Sequence, residues 1–201
     1  MPWHSPREAL LDRSLGRNFS GERPIAPMDG SPISHTAGKT AMVQYQLDIA
    51  KEVRGASIAL LQARLATAMD LEAQLKHAHW NVKGRNFFRL HQLFDQIHGE
   101  IEEFVDTIAE RITALQGVAD GRLQTVTRMT ALDEYPTNAT SGEDHLRAVG
   151  QALAHFAKAV RADIDASASK GDADTADIFT EISRAADKQL WFVEAHLCEP
   201  Q

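Results

Sequence analysis

Residues 76–84 read Lys-His-Ala-His-Trp-Asn-Val-Lys-Gly and stand between two long stretches in which apolar residues have helical spacing. Metal-ligating side chains occur within this segment and after it: His79, His91, Asp95, Asp106 and Glu110. Burying ionisable groups costs free energy unless they are paired or bind a metal. Imidazoles and carboxylates among apolar positions therefore predict a metal site in a helical protein.

The stretches on either side of this segment predict two helices joined by a short turn. The first runs from about residue 57 to Trp80, with Gly55 and Ser57 as start signals. Asn86 is placed to cap the second, which ends before Gly117. The apolar positions are Ile58, Leu61, Leu65, Ala68, Leu71 and Leu75 in the first helix, and Leu90, Phe94, Ile97, Ile101, Phe104, Ile108, Ile112 and Leu115 in the second.

The C-terminal half predicts two more helices and no strand. Residues 118–140 form a connection with room for one short helical turn. Ser141 to Asp144 match a capping box and begin a third helix that continues to about Gly171. A fourth begins between Asp172 and Asp174. Four helices predict an all-α protein, a four-helix bundle over residues 46–201.

The first 45 residues are predicted to be an extended tail ahead of the bundle. Its prolines break any long helical pattern, and they are Pro2, Pro6, Pro24, Pro27 and Pro32. Ser5 to Glu8 match a capping box with a proline in the first turn, which leaves room for one short helix.

The composition fits one globular domain and limits its partners. The chain has 201 residues, 43% of them hydrophobic, and a formal net charge of -7, so general positive charge is not available for binding nucleic acid. Cys198 is the single cysteine, which suits a reducing compartment. Because the chain begins without a signal-peptide pattern and no stretch is long enough to span a membrane, we expect a cytoplasmic protein.

One narrow stripe of the second helix carries most of the candidate ligands. At about 100° per residue, the stripe contains His91, Asp95, His98, Glu102 and Asp106, with Glu110 at its margin. A solvated face is the ordinary interpretation of an acidic stripe. Here no basic residue lies in the stripe, so its carboxylates would repel each other unless a cation lay among them. Nitrogen and carboxylate donors together suit Fe(II) or Zn(II).

The spacing of the ligands also predicts how the chain assembles. Asp106 and Glu110 lie fifteen and nineteen residues beyond His91, which is roughly 22 to 28 Å along a helix. One copy cannot bring these ends to one metal. Two antiparallel copies related by a dyad would bring the histidine end of one to the acidic end of the other. The sequence therefore predicts two shared sites per dimer.

The candidate ligands belong to a larger set of motifs that covers nearly everything from about residue 50 onward. The motifs are His79 to Gly84 with Phe87, His91 and Asp95; Asp106 to Arg111; Tyr135-Pro136; Asp144 to Leu146; Asp174 to Ile178; and Asp187 to Phe192. Together they closely resemble the Dps family, the miniferritins named as DNA-binding proteins from starved cells.

The resemblance implies a ferritin-like four-helix subunit, with a short helix between the second and third helices, in a hollow homododecamer with ferroxidase sites at two-fold interfaces. His79, His91 and Asp95 would come from one subunit and Asp106 and Glu110 from its partner. Such sites bind Fe(II), with zinc as a substitute ion, and preferentially use hydrogen peroxide as the oxidant. The Fe(III) product is stored as an oxide mineral inside the shell.

The resemblance also implies roles for acidic residues away from these ligands. Asp174 and Asp177, joined by Asp172, match the acidic pores at three-fold axes through which Fe(II) is drawn inward. Aspartates at a helix start also serve as caps, so both interpretations stand. His98 and Glu102 would lie inside the shell and nucleate mineral.

The two tryptophans of the helical region have different expected roles. Trp80, next to His79, is either a further electron donor or an aromatic packing residue. Trp191 is expected in the core.

Three functions are open at this point. The first is a peroxide-consuming ferroxidase and iron store. The second is a nucleoid-associated protein that coats DNA, although residues 1–40 contain only five basic residues against four acidic ones. The third is a bundle that holds structural zinc and oxidises nothing.

Overall fold

A computed structural model describes residues 46–198 of the chain, and it shows five helices and no strand over that range. The helices are α1 (Lys51–Asn81), α2 (Phe87–Ala114), α3 (Leu123–Met129), α4 (Gly142–Ser169) and α5 (Ala173–Ala195). α1 packs along α2, α4 packs along α5, and α1 also contacts α4. The predicted all-α four-helix bundle is confirmed, and the short α3 occupies the predicted connection.

The core lies between the apolar faces of the four long helices. All seven buried residues of α2 belong to the predicted apolar set: Leu90, Phe94, Ile97, Ile101, Phe104, Ile108 and Ile112. The largest fully buried side chains include Phe94, Phe156 and Phe179, one from each of α2, α4 and α5. Each such side chain contributes about 1.5–3 kcal/mol through burial. The remaining face of α2 is thereby left free to carry polar side chains.

The beginning of α1 differs from the prediction. The helix begins at Lys51, six residues before the predicted start, and Ser57 is a buried residue within it. Nothing lies within 4 Å of a Cβ placed on Gly55, which sits on the exposed side of the helix. A glycine there costs only about 1 kcal/mol. The helix-forming residues before it therefore extend the helix past both proposed start signals.

The predicted capping box at the start of α4 is confirmed. The Ser141 hydroxyl accepts a hydrogen bond from the Asp144 backbone N–H at 3.1 Å, and the Asp144 carboxylate accepts one from the Ser141 N–H at 2.9 Å. Two otherwise unpaired backbone donors are satisfied in this way. The local signal alone was sufficient to place this helix start.

No helix of residues 46–198 combines the length and apolar character needed to cross a membrane. The predicted tail over residues 1–45, including its short helix, lies outside the described residues. The boundary near residue 45 therefore stays a prediction.

Candidate metal site

The turn between α1 and α2 brings two of the predicted ligands together. The rings of His79 and His91 stack with their centroids 3.6 Å apart. Nδ1 of His79 lies 2.8 Å from the backbone oxygen of His91, and Nδ1 of His91 lies 2.9 Å from that of His79. A carbonyl can only accept, so each Nδ1 carries the proton and donates it. Both Nε2 atoms keep a lone pair for a metal.

Local sequence explains why the turn closes so tightly. α1 stops where the Val82 N–H bonds to the Ala78 oxygen, and Val82 itself is buried. Gly84 follows with φ of 102°, a conformation that glycine adopts without steric cost. Phe87 then places its ring 5.2 Å from that of His91. The chain therefore reverses within a few residues and holds the second imidazole against the first.

Asp95 lies beside this histidine pair and forms an ion pair with Lys76. Its Oδ1 is 3.8 Å from Nδ1 of His79 and 2.5 Å from Nζ of Lys76. The hydrogen bond from Lys76 lowers the pKa of Asp95 below its ordinary value. The expectation that the stripe carboxylates lack basic partners is therefore wrong at this position. The reason is that Lys76 comes from α1, not from the stripe on α2.

Asp106 and Glu110 lie farther along α2 and are exposed. No group of three or more His, Cys, Asp or Glu side chains within residues 46–198 of a single chain is arranged to hold a metal. The two acids therefore do not meet the histidine pair within one copy. This separation along α2 agrees with the one predicted from the spacing of the residues. Completion of the metal site by a second copy stays a prediction.

Between the two ends of the stripe runs an open acidic groove of about 640 Å³, lined in part by Glu102 and Asp106. Glu72 of α1 also lines it, and its Oε1 lies 3.3 Å from Nε2 of His98. Glu72 was missed in the sequence, although it lies seven residues, or two helical turns, before His79 and so on the same face of α1. The nucleation role of His98 and Glu102 stays a prediction.

The residues at the α1–α2 turn fit the predicted metal chemistry. By type they are two imidazole nitrogens with fixed tautomers and one carboxylate, donors that suit Fe(II) or Zn(II) and not calcium, but within one chain these three side chains do not form a three-ligand metal group. The backbone bonds at Nδ1 also orient both rings in advance. What one chain does not supply is enough negative charge to neutralise a ferric ion.

Comparison with known proteins identifies the family. A family model described as a ferritin-like domain matches residues 58–200 of the chain. The DNA protection during starvation protein of Agrobacterium fabrum is 42% identical over 152 residues, which cover 76% of this chain and 94% of that protein. The chain belongs to the Dps family of ferritin-like proteins. The resemblance inferred from its motifs is confirmed.

Solved Dps structures share the fold. DpsC from Streptomyces coelicolor matches with a TM-score of 0.75 at 29% identity, covering 79% of this chain and 92% of that one. Dps from Microbacterium arborescens, in a form described as high iron, matches with a TM-score of 0.69 at 32% identity, covering 74% and 96%. The ferritin-like bundle of this Dps-family chain is thereby confirmed.

Asp172, one of the three aspartates predicted to line a pore, is buried inside this Dps subunit. Asp172 is only 2% exposed; it caps α5 through the Thr175 N–H at 3.1 Å and accepts a hydrogen bond from Arg111 at 2.7 Å. Because the Asp172 carboxylate is buried and bonded to these groups, it does not face water. The prediction that Asp172 lines the pore is therefore wrong. Asp174 and Asp177 are exposed, and their pore role stays a prediction.

Both tryptophans of the Dps bundle are on the surface of the described subunit. Trp191 is 63% exposed, so its predicted place in the core is wrong. Gln189 and Val193, one turn apart, are the buried residues of this part of α5, and a side chain midway between them points to the opposite face. Trp80 is 70% exposed, so it does not pack in the core of the described subunit. Its role as an electron donor stays a prediction.

Replacing Lys76 by glutamine is expected to tighten metal binding at the α1–α2 turn. The change removes the hydrogen bond that lowers the pKa of Asp95 and the ammonium that competes with a metal for its oxygen. Because the pair is partly exposed and screened by solvent, we expect a few-fold gain in affinity. Titration calorimetry of the metal-free protein with Zn(II) measures it. Lys83→Gln, in the same turn, is the control, and an equal change in both variants would contradict the role of Lys76.

Proposed function

We propose that this chain is a ferroxidase that oxidises Fe(II), preferentially with hydrogen peroxide, and stores Fe(III) as a mineral inside a hollow dodecamer. The observation that carries the proposal is the stacked His79–His91 pair, in which the backbone bonds at Nδ1 leave a lone pair on each Nε2 for a metal. The stripe acids that would complete the site are out of reach within the same chain. Asp106 and Glu110 of the partner subunit complete it across a two-fold axis.

The chemistry follows from the ligands on either side of that axis. The imidazoles bind Fe(II) as substrate, and the carboxylates neutralise the additional charge of Fe(III) and so favour the oxidised product. Two ferrous ions, or one with a second held more weakly, let peroxide accept two electrons without releasing a hydroxyl radical. Trp80, next to His79, serves as a further electron donor. The high-iron form of the Microbacterium relative supports iron as the metal, and zinc is a substitute ion at the same donors.

The exposed acids outside this site have supporting roles. Asp174 and Asp177, at the start of α5, give the negative potential that attracts Fe(II) to a pore at the three-fold axis. His98 and Glu102 nucleate the mineral, together with Glu72, which shares the acidic groove. The protein carries out this reaction in the cytoplasm, where it lowers the concentrations of Fe(II) and peroxide together.

The direct test is anaerobic loading with Fe(II), addition of peroxide and measurement of ferric absorbance, with sedimentation to measure assembly. Wild type is expected to sediment as a dodecamer and to oxidise iron rapidly. The double variant His79→Ala, Asp106→Ala is expected to assemble but to oxidise iron no faster than buffer. Equal turnover in both proteins would rule out the assigned site. Zinc binding without any wild-type oxidation would favour a structural zinc protein.

A second candidate function is DNA protection by coating, as the name of the Agrobacterium relative suggests. The observation that favours it is a local group of exposed cations at the α1–α2 turn, Lys83, Arg85 and Arg89, which repeats in every subunit. Twelve copies in one shell bind DNA more tightly than one copy through multivalency, although the net charge of -7 on each chain opposes DNA binding. A gel shift at low and high salt tests it, with the three residues replaced by glutamine as the comparison. Absence of binding at low salt would exclude both DNA coating and nucleoid association.

A further inference from the structure

The middle of the α2 stripe contains a histidine that the ferroxidase site does not use. Nε2 of His98 lies 3.3 Å from Oε1 of Glu72 on α1, just beyond the range of about 2.7–3.2 Å in which N–H···O hydrogen bonds form. Two ligand atoms bound to one tetrahedral Zn(II) at about 2.0–2.1 Å are themselves about 3.3 Å apart. The two atoms are therefore placed as neighbouring ligands of a single ion.

No lysine or arginine of the described residues lines the acidic groove around this pair. The acidic side chains that line it are Glu72, Glu102, Glu103 and Asp106. Lys76, one turn after Glu72 on α1, is bonded to Asp95 instead. Carboxylates that lie close together repel each other, and a bound cation removes that repulsion. The groove therefore favours a divalent ion beside His98.

A third ligand for this pair has to come from another copy, because residues 46–198 of one chain contain no group of three metal ligands. The shared ferroxidase site pairs His91 with Glu110 of the partner subunit and Asp95 with Asp106 of the partner subunit. Both pairs have the same midpoint in the sequence, between residues 100 and 101. One antiparallel register therefore satisfies both pairs, and in that register the two-fold axis crosses α2 at the midpoint.

The same register brings a glutamate of the second copy to His98. In it, Glu102 of the partner subunit lies one residue, or about 1.5 Å along the helix axis, from the position opposite His98. Gly99, next to His98, has nothing within 4 Å of a Cβ placed on it, so the two helices can approach closely at the axis. The imidazole of one chain and the carboxylate of the other can then reach one ion.

We propose that each two-fold axis carries two further divalent-metal sites, each formed by His98 and Glu72 of one subunit and Glu102 of the partner subunit; this inference rests on the two-fold pairing of the proposed function. One imidazole and two carboxylates suit Fe(II) or Zn(II), and the two carboxylates neutralise the charge of a dication. His98 lies seven residues after His91, or about 10 Å along α2, so the site does not use the ferroxidase ligands. It holds Fe(II) as a reserve of substrate beside them. Binding there needs no oxidation, so the site fills before any ferric mineral forms.

The test measures the Zn(II) that the full chain retains in equilibrium dialysis without oxidant. The parent protein carries His79→Ala and His91→Ala, which remove the imidazoles of the ferroxidase site. We expect about one zinc per chain in the parent and loss of that zinc when His98→Gln is added. His155→Gln, which changes an exposed histidine of α4, is the matched control and should retain the zinc. A parent that binds no zinc, or zinc binding that survives His98→Gln, would overturn the inference, while rapid iron oxidation by the wild type would leave the proposed function intact.

A second measurement asks whether the third ligand comes from the other copy. In the same parent, a chain with His98→Gln is coexpressed with a chain that has Glu102→Gln. Random pairing leaves about a quarter of the sites without a defect, so about a quarter of the zinc should return. A mixture of His98→Gln with Glu72→Gln should bind none, because both changes lie in the same half of every site. No recovery in the first mixture would overturn the inference, and mixing variants of the ferroxidase ligands tests the two-fold pairing independently.

Discussion

Two variants that are each inactive are expected to recover about a quarter of the wild-type ferroxidase activity when they assemble together. One carries His79→Ala and the other Glu110→Ala. With random pairing, half of the dimers are mixed, and a mixed dimer has one site with both defects and one with none. The intact site takes its imidazoles from one chain and its acids from the other. Coexpression of the two chains followed by the peroxide assay measures the recovery.

The matched control mixes His79→Ala with Asp95→Ala. Both residues belong to the same half of the shared site, so every site of a mixed dimer keeps one defect and no activity should return. Recovery in this control, or none in the first mixture, would contradict a site built across a two-fold axis. The comparison is sharp because none of the single variants changes a core residue: Asp95 and Glu110 are exposed, and His79 is half-buried.

Replacing Arg111 by alanine is expected to lower the free energy of unfolding by about 3–5 kcal/mol, because it leaves a buried carboxylate without its cation. Arg111 donates to Asp172 at 2.7 Å and to the Thr175 hydroxyl at 3.0 Å. Burial alone would raise the pKa of Asp172, but the hydrogen bonds that its carboxylate accepts, those from Thr175 and Arg111 among them, outweigh it and hold that pKa below its ordinary value. Chemical denaturation at neutral pH measures the loss.

The control for this prediction is Arg147→Ala, which removes an exposed pair with Glu143 and should cost no more than about 0.5 kcal/mol. The pH dependence adds a second criterion. A lowered folded-state pKa stabilises the protein above the unfolded value of about 4 and ceases to do so as pH falls through the folded value. The difference between wild type and Arg111→Ala should therefore be largest at neutral pH and shrink in acid. A difference that persists unchanged in acid would contradict the assigned ion pair.

Local sequence signals were sufficient to predict most of the helical framework. The apolar repeat of α2 predicted its whole buried face, and the capping box placed the start of α4. The meeting of His79 with His91 also followed from the sequence, because a short turn between two marked helices leaves few ways to arrange them. Completion of the site by a second chain was inferred from the rise per residue and awaits the mixing experiment.

The incorrect predictions share a cause. Trp191 was expected inside and Asp172 outside, whereas the structure shows the reverse. Lys76 was not considered as a partner of Asp95, which lies nineteen residues later on another helix. Each of these outcomes depends on which face of a helix meets a neighbour that is distant along the chain. Composition and spacing within one helix do not contain that information.

By itself, the sequence determined the four long helices, the kinds of ligand and the spacing that separates the imidazoles from Asp106 and Glu110. These properties follow from the rotation and rise per residue within a single helix. Only the tertiary structure decided that Lys76 neutralises Asp95, that Asp172 is buried against Arg111, and that the Tyr135 phenol lies within hydrogen-bond distance of Nδ1 of His145. Those contacts depend on how helices and loops from separate parts of the chain pack together, because packing and desolvation are set by all the neighbours of a side chain at once.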